Sequence, residues 1–204
     1  MKLYHSIGPN PRFVRMFAAE KGLTPELVEV DIVAGDNRRA PFLQINPTGT
    51  TPVLVLDDGT TIAETTAICE YLEELVPQPA LIGASARERA IARMWWRRGD
   101  LMVVQPMTAG FRAAEGLSMF QDRVRCLPQA AEDLKRTAQE GLAWFDAQLG
   151  ERPYVAGDAL SVADLLLYCF VEFGELVGQG LDPSQRRLAA WRDRVGSRPS
   201  ASVR

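Results

Sequence analysis

Residues 46–74 read NPTGTTPVLVLDDGTTIAETTAICEYLEE, and no other stretch narrows the fold as much. Two short apolar and β-branched runs, 53–56 and 60–63, flank Asp57-Asp58-Gly59. Acidic residues before a Gly are hairpin chemistry, because the turn needs a positive φ that Gly adopts freely. A helical pattern over 65–75 follows at once. A hairpin running straight into an amphipathic helix predicts a small sheet with helices packed on it.

The residues before this stretch extend the same architecture. Residues 2–6 form a strand candidate, broken by Gly8-Pro9-Asn10-Pro11. Pro11 suits the first turn of a helix, where its missing N–H is not needed. Phe13, Val14, Phe17 and Ala18 then share one helical face, and Gly22 ends the helix. Residues 27–32 read as a second strand and 36–43 as an irregular or short helical crossover. The predicted order is β-α-β-α-β-β-α.

Val76-Pro77-Gln78-Pro79 marks a boundary, and beyond it strand patterns nearly vanish. Residues 87–112 carry a long helical pattern. A bend is predicted at Pro106, which removes one hydrogen bond and clashes with the preceding turn. Another helix is predicted over 128–149, stopped by Gly150. Ser161 and Asp164 form a capping-box start to an apolar helix over 165–173. A last helix over 184–195 ends at Gly196. The expected organisation is an α/β domain over 1–78 and an all-α helical-bundle domain over 84–204.

Composition excludes several functions. The 204 residues carry a net charge of −3, so there is no broad positive field and nucleic acid is not an expected partner. No run approaches the roughly 18–20 apolar residues of a membrane span, and the N-terminus lacks the apolar core of a secretory signal. The three cysteines are far apart without CxxC spacing, which points to reduced thiols and a cytoplasmic setting. One histidine leaves little material for a histidine metal site or a serine triad, and no metal is expected.

Three segments, in this order and spacing, resemble the cytosolic glutathione transferases. NPTGTTPVL is similar to that family's N-P-x-G-x-[VI]-P-x-L, and IAETTAICEYLEE to its [IL]-x-E-S-x-A-I-x-x-Y-L. GDALSVADLLL is similar to the family's helix-capping segment. The resemblance spans essentially the whole chain. It implies a thioredoxin-like first domain and a helical second domain. The same fold also hosts non-catalytic relatives, so the resemblance bears on ancestry more than on activity.

Glutathione is a tripeptide with two carboxylates, an amine and a thiol, and a protein that holds it must pair an extended backbone and neutralise charge. The resemblance implies that Thr51-Pro52 contains a cis proline and that residue 51 pairs its N–H and C=O with the cysteinyl part, as an added strand does. Read alone, Pro52 also suits the start of an edge strand. Glu64-Thr65 opens a helix whose free N–H groups favour an anion. By resemblance, Thr65 and those amides take the γ-glutamyl carboxylate and Glu64 faces its amine, while Thr65 also suits an N-cap. Thr50 stands where many relatives have Lys or Gln, which leaves the glycyl carboxylate to Arg38, Arg39 or Gln44. Asp100 resembles an acidic residue that reaches the partner subunit's glutathione in several classes. A surface or interhelix charge explains it as well.

The thiol must also be activated. A free thiol has a pKa of about 8.5, and lowering it by two units takes about 2.7 kcal/mol of preference for the anion. Relatives supply this with a Tyr, Ser or Cys near the first helix. Here Gly8 stands where plant-like and disulfide-reducing bacterial relatives have Ser or Thr, and Asn10 where another bacterial class has its Cys. Asn10, with the helix amides, is the implied donor to the thiolate. Followed by Pro11, it reads equally as an N-cap. Ser6 and Tyr4 are the other donors considered, and His5, on the opposite strand face, is structural. In the family the second-substrate pocket lies between the domains. Trp95, Met102, Phe111 and Arg112 are its candidates here, and each also fits a helical core.

The expected function is conjugation of the glutathione thiolate to a small electrophile, by a homodimer using glutathione as co-substrate. Two alternatives stay open: glutathione-dependent disulfide reduction, and non-catalytic binding of glutathione or another ligand.

Overall fold

The structure, a computed structural model, describes residues 1–203. It divides into two compact units, Met1–Ala80 with the segment from Pro199 onward, and Leu81–Arg198.

The first unit is built on a four-stranded sheet, β1 (Lys2–His5), β2 (Glu26–Glu29), β3 (Val53–Val55) and β4 (Thr61–Ala63), in the spatial order β2-β1-β3-β4. β1 and β2 are parallel, while β3 pairs antiparallel with both β1 and β4. The predicted hairpin is present, with Gly59 at φ 87° in its turn. Side-chain alternation divides the sheet into two faces. Leu3 and Leu54 oppose each other in the ladder and are buried with Phe13, Phe17, Ile68 and Leu72 of the helices α1 (Pro9–Glu20) and α3 (Thr65–Leu75). The other face carries a smaller cluster of Val30, Phe42 and Val53, flanked by Tyr4, Ile45, Val55 and Ala63. The crossover supplies that cluster through a 3₁₀ turn, Asp36–Arg38, and a short helix α2 (Phe42–Ile45).

Two expectations in this unit are corrected. The first helix starts at Pro9, not at Pro11, with Gly8 as its N-cap and no side-chain cap. Pro fits the first turn at both places because neither N–H would have an intrahelical partner. The second strand is Glu26–Glu29, shorter than residues 27–32. Instead, Asp31 accepts from the N–H groups of Val33 and Ala34, an Asx-type turn that stops the strand. The segment from Pro199 packs on α1, where Arg12 donates to the Ala201 carbonyl at 3.1 Å and Ser200 to Glu20. The expected domain 84–204 had grouped those residues with the helices.

The second unit contains α4 (Ala86–Gly99), α5 (Gln105–Ala113), α6 (Leu117–Phe120), α7 (Ala131–Leu149), α8 (Val162–Leu176) and α9 (Arg186–Gly196). Every residue from Val162 to Val171 is buried, so this part of α8 is enclosed on all sides. The capping box at its start is fully formed. Asp164 accepts from the Ser161 N–H and hydroxyl, from the Val155 N–H and from Trp191 Nε1, all between 2.7 and 2.9 Å. Burial pushes its carboxyl above the usual range, and these four donors oppose that shift.

The predicted bend near Pro106 takes a specific form. α4 and α5 are joined by a π-helical turn, Asp100–Val104, in which the Gln105 N–H reaches back to the Asp100 carbonyl. Pro106 has no N–H to offer the Met102 carbonyl four residues earlier, and the wider turn absorbs the mismatch. Gly141 of α7 packs against that carbonyl so closely that a Cβ would sit 2.2 Å from the Met102 oxygen. α6 was not predicted, since its four residues are too few to show a period.

Candidate functional site

Two helix N-termini and one loop bring the expected ligand-binding residues of the first unit into view, and the two N-termini differ sharply. α1 opens Pro9-Asn10-Pro11. Two of its first three residues have no N–H, so the Asn10 amide is the only main-chain donor left in that turn. The next N–H, from Arg12, returns to the Gly8 carbonyl at 3.3 Å. Asn10 does not cap the helix, which settles the N-cap alternative against it; its carboxamide is half-buried and bonded to none of the described residues. The free donors in this first turn are therefore one N–H and one side-chain amide, both on Asn10. Gly8 sits at φ 117°, ψ 167°, a conformation that suits Gly and disfavours any Ser there.

α3 opens Thr65-Thr66-Ala67 with no proline, and its first return bond runs from the Ile68 N–H to the Glu64 carbonyl at 3.0 Å. Three main-chain donors thus remain at this end, beside the half-buried Thr65 hydroxyl. Glu64, the residue before the helix, is at φ 70°, ψ 128° and is the only non-Gly residue with positive φ among the described residues. Such a conformation costs on the order of 1–3 kcal/mol and persists where surroundings hold it, often at functional sites. Glu64 is exposed and directly precedes the three free amides. No sequence signal announces this strain.

The loop before β3 is braced from within. Asn46, 3% exposed, donates to the Thr50 carbonyl at 2.8 Å and accepts from the Thr48 hydroxyl at 2.9 Å. Asn37 donates to the Gly49 carbonyl at 2.6 Å and Arg38 to the Thr48 carbonyl at 3.1 Å. Gly49, at φ 66°, allows Arg38 to lie across it. The carbonyls of residues 48, 49 and 50 are therefore all engaged. Thr51 comes next, followed by a cis bond to Pro52. Its own N–H and C=O are paired with none of the described residues, because the β1–β3 ladder starts only at Val53.

The remaining candidates separate. Ser6 is 3% exposed, and its hydroxyl lies 2.6 Å from that of Thr51 and donates to the Ile7 carbonyl at 3.1 Å. Tyr4 turns away, edge-on to Phe42 with ring centroids 6.3 Å apart, and lines a cavity of about 400 Å³ beside α2. Arg39 is held by Asp36 and by the Ala34 and Gly35 carbonyls. Arg38 keeps further donors, and Gln44 is exposed on α2. The Thr50 hydroxyl is engaged by Asn46 and Thr48.

In the helical unit, Trp95 is core. It is 7% exposed, packs on Trp144 and Phe145, and meets the guanidiniums of Arg98 and Arg152 at 4.9 and 5.0 Å from its ring. Met102 belongs to the π turn. Phe111 and Arg112 do come together, with partners that sequence reasoning missed. Phe111 meets Phe120 and Phe173 edge-on at 6.0 and 5.1 Å, and Arg112 covers the Phe120 ring at 5.0 Å. The Arg112 Nε is buried with no acceptor among the described residues, and burial lowers that group's pKa, with Cys126 opposing. Phe120 lay in a segment without periodicity, so only the fold could bring it here. Asp100 pairs with Arg97 and accepts from Gln105 within its own helix.

A sheet of this topology with a cis proline before its central antiparallel strand, followed by an all-helical unit, defines a thioredoxin-like domain carrying a helical domain. Comparison with known proteins names the group. Residues 7–75 match the pattern described as Glutathione S-transferase, N-terminal domain, and residues 124–199 match Glutathione S-transferase, C-terminal domain. Glutathione S-transferase 2 of Saccharomyces cerevisiae is 36% identical over 95% of this chain and 84% of its own. Maleylacetoacetate isomerase of Pseudomonas aeruginosa is 30% identical over 93% of this chain and 89% of its own. A glutathione S-transferase domain-containing protein of Marinobacter aquaeolei superposes with a TM-score of 0.93 at 38% identity, covering 99% of this chain and 100% of that one. The chain belongs to the glutathione S-transferase family.

No helix among the described residues is long and apolar enough to cross a membrane, and no three of their His, Cys, Asp or Glu side chains gather as a metal-binding group.

Proposed function

We propose that this protein is a glutathione transferase that holds glutathione along the first unit and presents its thiolate to a small electrophile. One observation carries the reading: the unpaired N–H and C=O of Thr51, beside cis-Pro52, form an edge that an extended peptide can join. The three free amides of α3 and the Thr65 hydroxyl take the γ-glutamyl carboxylate, and the Glu64 carboxylate faces the amine. Arg38 and Gln44 are the groups for the glycyl carboxylate. Asn10 donates to the sulfur from its N–H and its carboxamide. A hydrogen bond to a charged group contributes about 1.5–3 kcal/mol, so one or two of them match the roughly 2.7 kcal/mol needed for a two-unit shift.

The electrophile is received on the side of the helical unit that carries Phe111 and Arg112. The protein acts in the cytoplasm as a homodimer. Its dimer contact uses the exposed face of α4, where Met94 is 40% exposed, and Leu101 beyond it, 49% exposed.

Calorimetric titration with glutathione, followed by thiolate absorbance across pH, tests the assignment. Asn10→Ala is expected to raise the bound thiol's pKa by at least about one unit and to lower turnover on an aryl halide about tenfold. Unchanged values for both would remove Asn10 from the site. A second reading, glutathione-dependent disulfide reduction, draws on the Gly8-Pro9-Asn10 turn, which resembles the Thr-Pro-Asn of bacterial relatives with that activity, while the missing hydroxyl at Gly8 supports a non-catalytic binder. Turnover on a small disulfide exceeding turnover on the aryl halide would favour disulfide reduction. Tight binding with an unshifted thiol would mark a non-catalytic binder.

A further inference from the structure

Ser6 and Thr51 stand in different segments, yet their hydroxyl oxygens are 2.6 Å apart. In the pattern that the loop otherwise follows, position 51 is Val or Ile, so this hydroxyl is a departure of this chain. Ser6 also donates to the Ile7 carbonyl at 3.1 Å. Ser6 has one hydrogen to give, so the two hydroxyls can be arranged in two ways. In the first, Thr51 donates to Ser6 and Ser6 to the Ile7 carbonyl. In the second, Ser6 turns its hydrogen to the Thr51 oxygen, and the Thr51 O–H is released to donate elsewhere.

The position of the pair gives this release a direction. Ser6 directly precedes the 7–10 turn that opens α1, and Thr51 carries the unpaired main-chain edge before cis-Pro52. Those are the two segments the glutathione reading assigns to the cysteinyl group. Ser6 is too buried to meet a ligand itself, while Thr51 is half-exposed.

We propose that the Thr51 hydroxyl is a second hydrogen-bond donor to the glutathione sulfur, and that Ser6 is a positioning residue that releases it when the sulfur is ionised. This rests on the glutathione reading above. No proton leaves either residue: two O–H bonds rotate, the Ser6 bond to the Ile7 carbonyl is given up, and the Thr51 O–H gains a charge-assisted bond to the thiolate. A neutral thiol offers no comparable acceptor, so with it the resting arrangement holds. The pair thus favours the anion selectively and complements the single first-turn amide that Pro9 and Pro11 leave on α1.

Thiolate absorbance of the glutathione complex across pH, with calorimetry on each protein, tests this. Thr51→Val keeps the β-branched shape and removes the hydroxyl, and is expected to raise the bound thiol's pKa by about one unit, a tenfold loss of thiolate at a pH below it. Ser6→Ala should give about half that shift, and the double variant no more than Thr51→Val alone, because Ser6 acts through Thr51. Thr51→Ser should restore the wild-type value. Glutathione affinity at low pH, where the thiol is neutral, should change by less than about twofold in every variant. A Thr51→Val complex with the wild-type thiol pKa, or single shifts that simply add, would overturn the proposal and leave glutathione binding standing. Wild-type protein that fails to bind glutathione at millimolar concentration would overturn both.

Discussion

His5 is the only histidine in the chain, and its Nδ1 lies 2.9 Å from a guanidinium nitrogen of the buried Arg15. An arginine only donates, so the imidazole accepts there and is neutral. Burial first, and the Arg15 charge second, lower its pKa below the usual 6.5, with Glu29 opposing. The folded protein therefore binds fewer protons at His5 than the unfolded chain does. The contribution is complete above pH of about 6.5 and is lost as pH falls through the lower folded value. A single imidazole signal in proton NMR should titrate below 6.5, and Arg15→Met should move it upward. A wild-type signal titrating at or above 6.5 would contradict the contact. The structural role of His5 was readable from strand alternation. Its partner was not, because a buried arginine inside an apolar helical pattern looks like a surface charge. Asn10 shows the opposite case: Asn-Pro reads as cap and first turn, but Pro9 is equally acceptable in that turn and the helix takes it up earlier.

At the scale of elements, the α4–α5 junction joins two sequence features about 35 residues apart. Pro106 deprives the Met102 carbonyl of its helical donor, and Gly141 gives the displaced carbonyl room. Gly141→Ala would place a methyl 2.2 Å from that oxygen. Backbone has little freedom to move aside, so the expected cost is at the high end of overpacking, about 3 kcal/mol, despite the better helix propensity of Ala. Denaturant unfolding measures this, and a neutral or stabilising result would mean that the π turn yields easily. A bend at Pro106 was legible from proline chemistry alone. Its form was not, since it depends on what α7 leaves open. α3 shows how far local reading extends. Its range, 65–75, and its anion-favouring start follow from sequence, while the positive φ of Glu64, the one residue between β4 and α3, does not.

At the scale of the whole molecule, the first unit is closed by an ion pair between helices. Lys21, at the end of α1, meets Glu73 of α3 and also donates to the Pro79 carbonyl near the unit's boundary. Their side chains are 0% and 8% exposed. Lys21→Met would leave a buried carboxylate without its cation, at an expected cost of about 3–5 kcal/mol, and the Lys21→Met/Glu73→Leu pair should recover most of it. Single and double variants with equal denaturant midpoints would show that the pair does not couple. The sequence by itself determined the order of strands and helices, the hairpin, the break at 76–79, the capping box at Ser161 and the family. Each of these rests on neighbours in the chain, whose periodicity and turn chemistry act locally. Tertiary structure decided which hydroxyl meets Thr51, what lies over the Met102 carbonyl, where Arg112 is buried and which unit takes the segment from Pro199. Those outcomes depend on residues far apart in sequence competing for the same buried space, and close packing settles that competition only once the chain has folded.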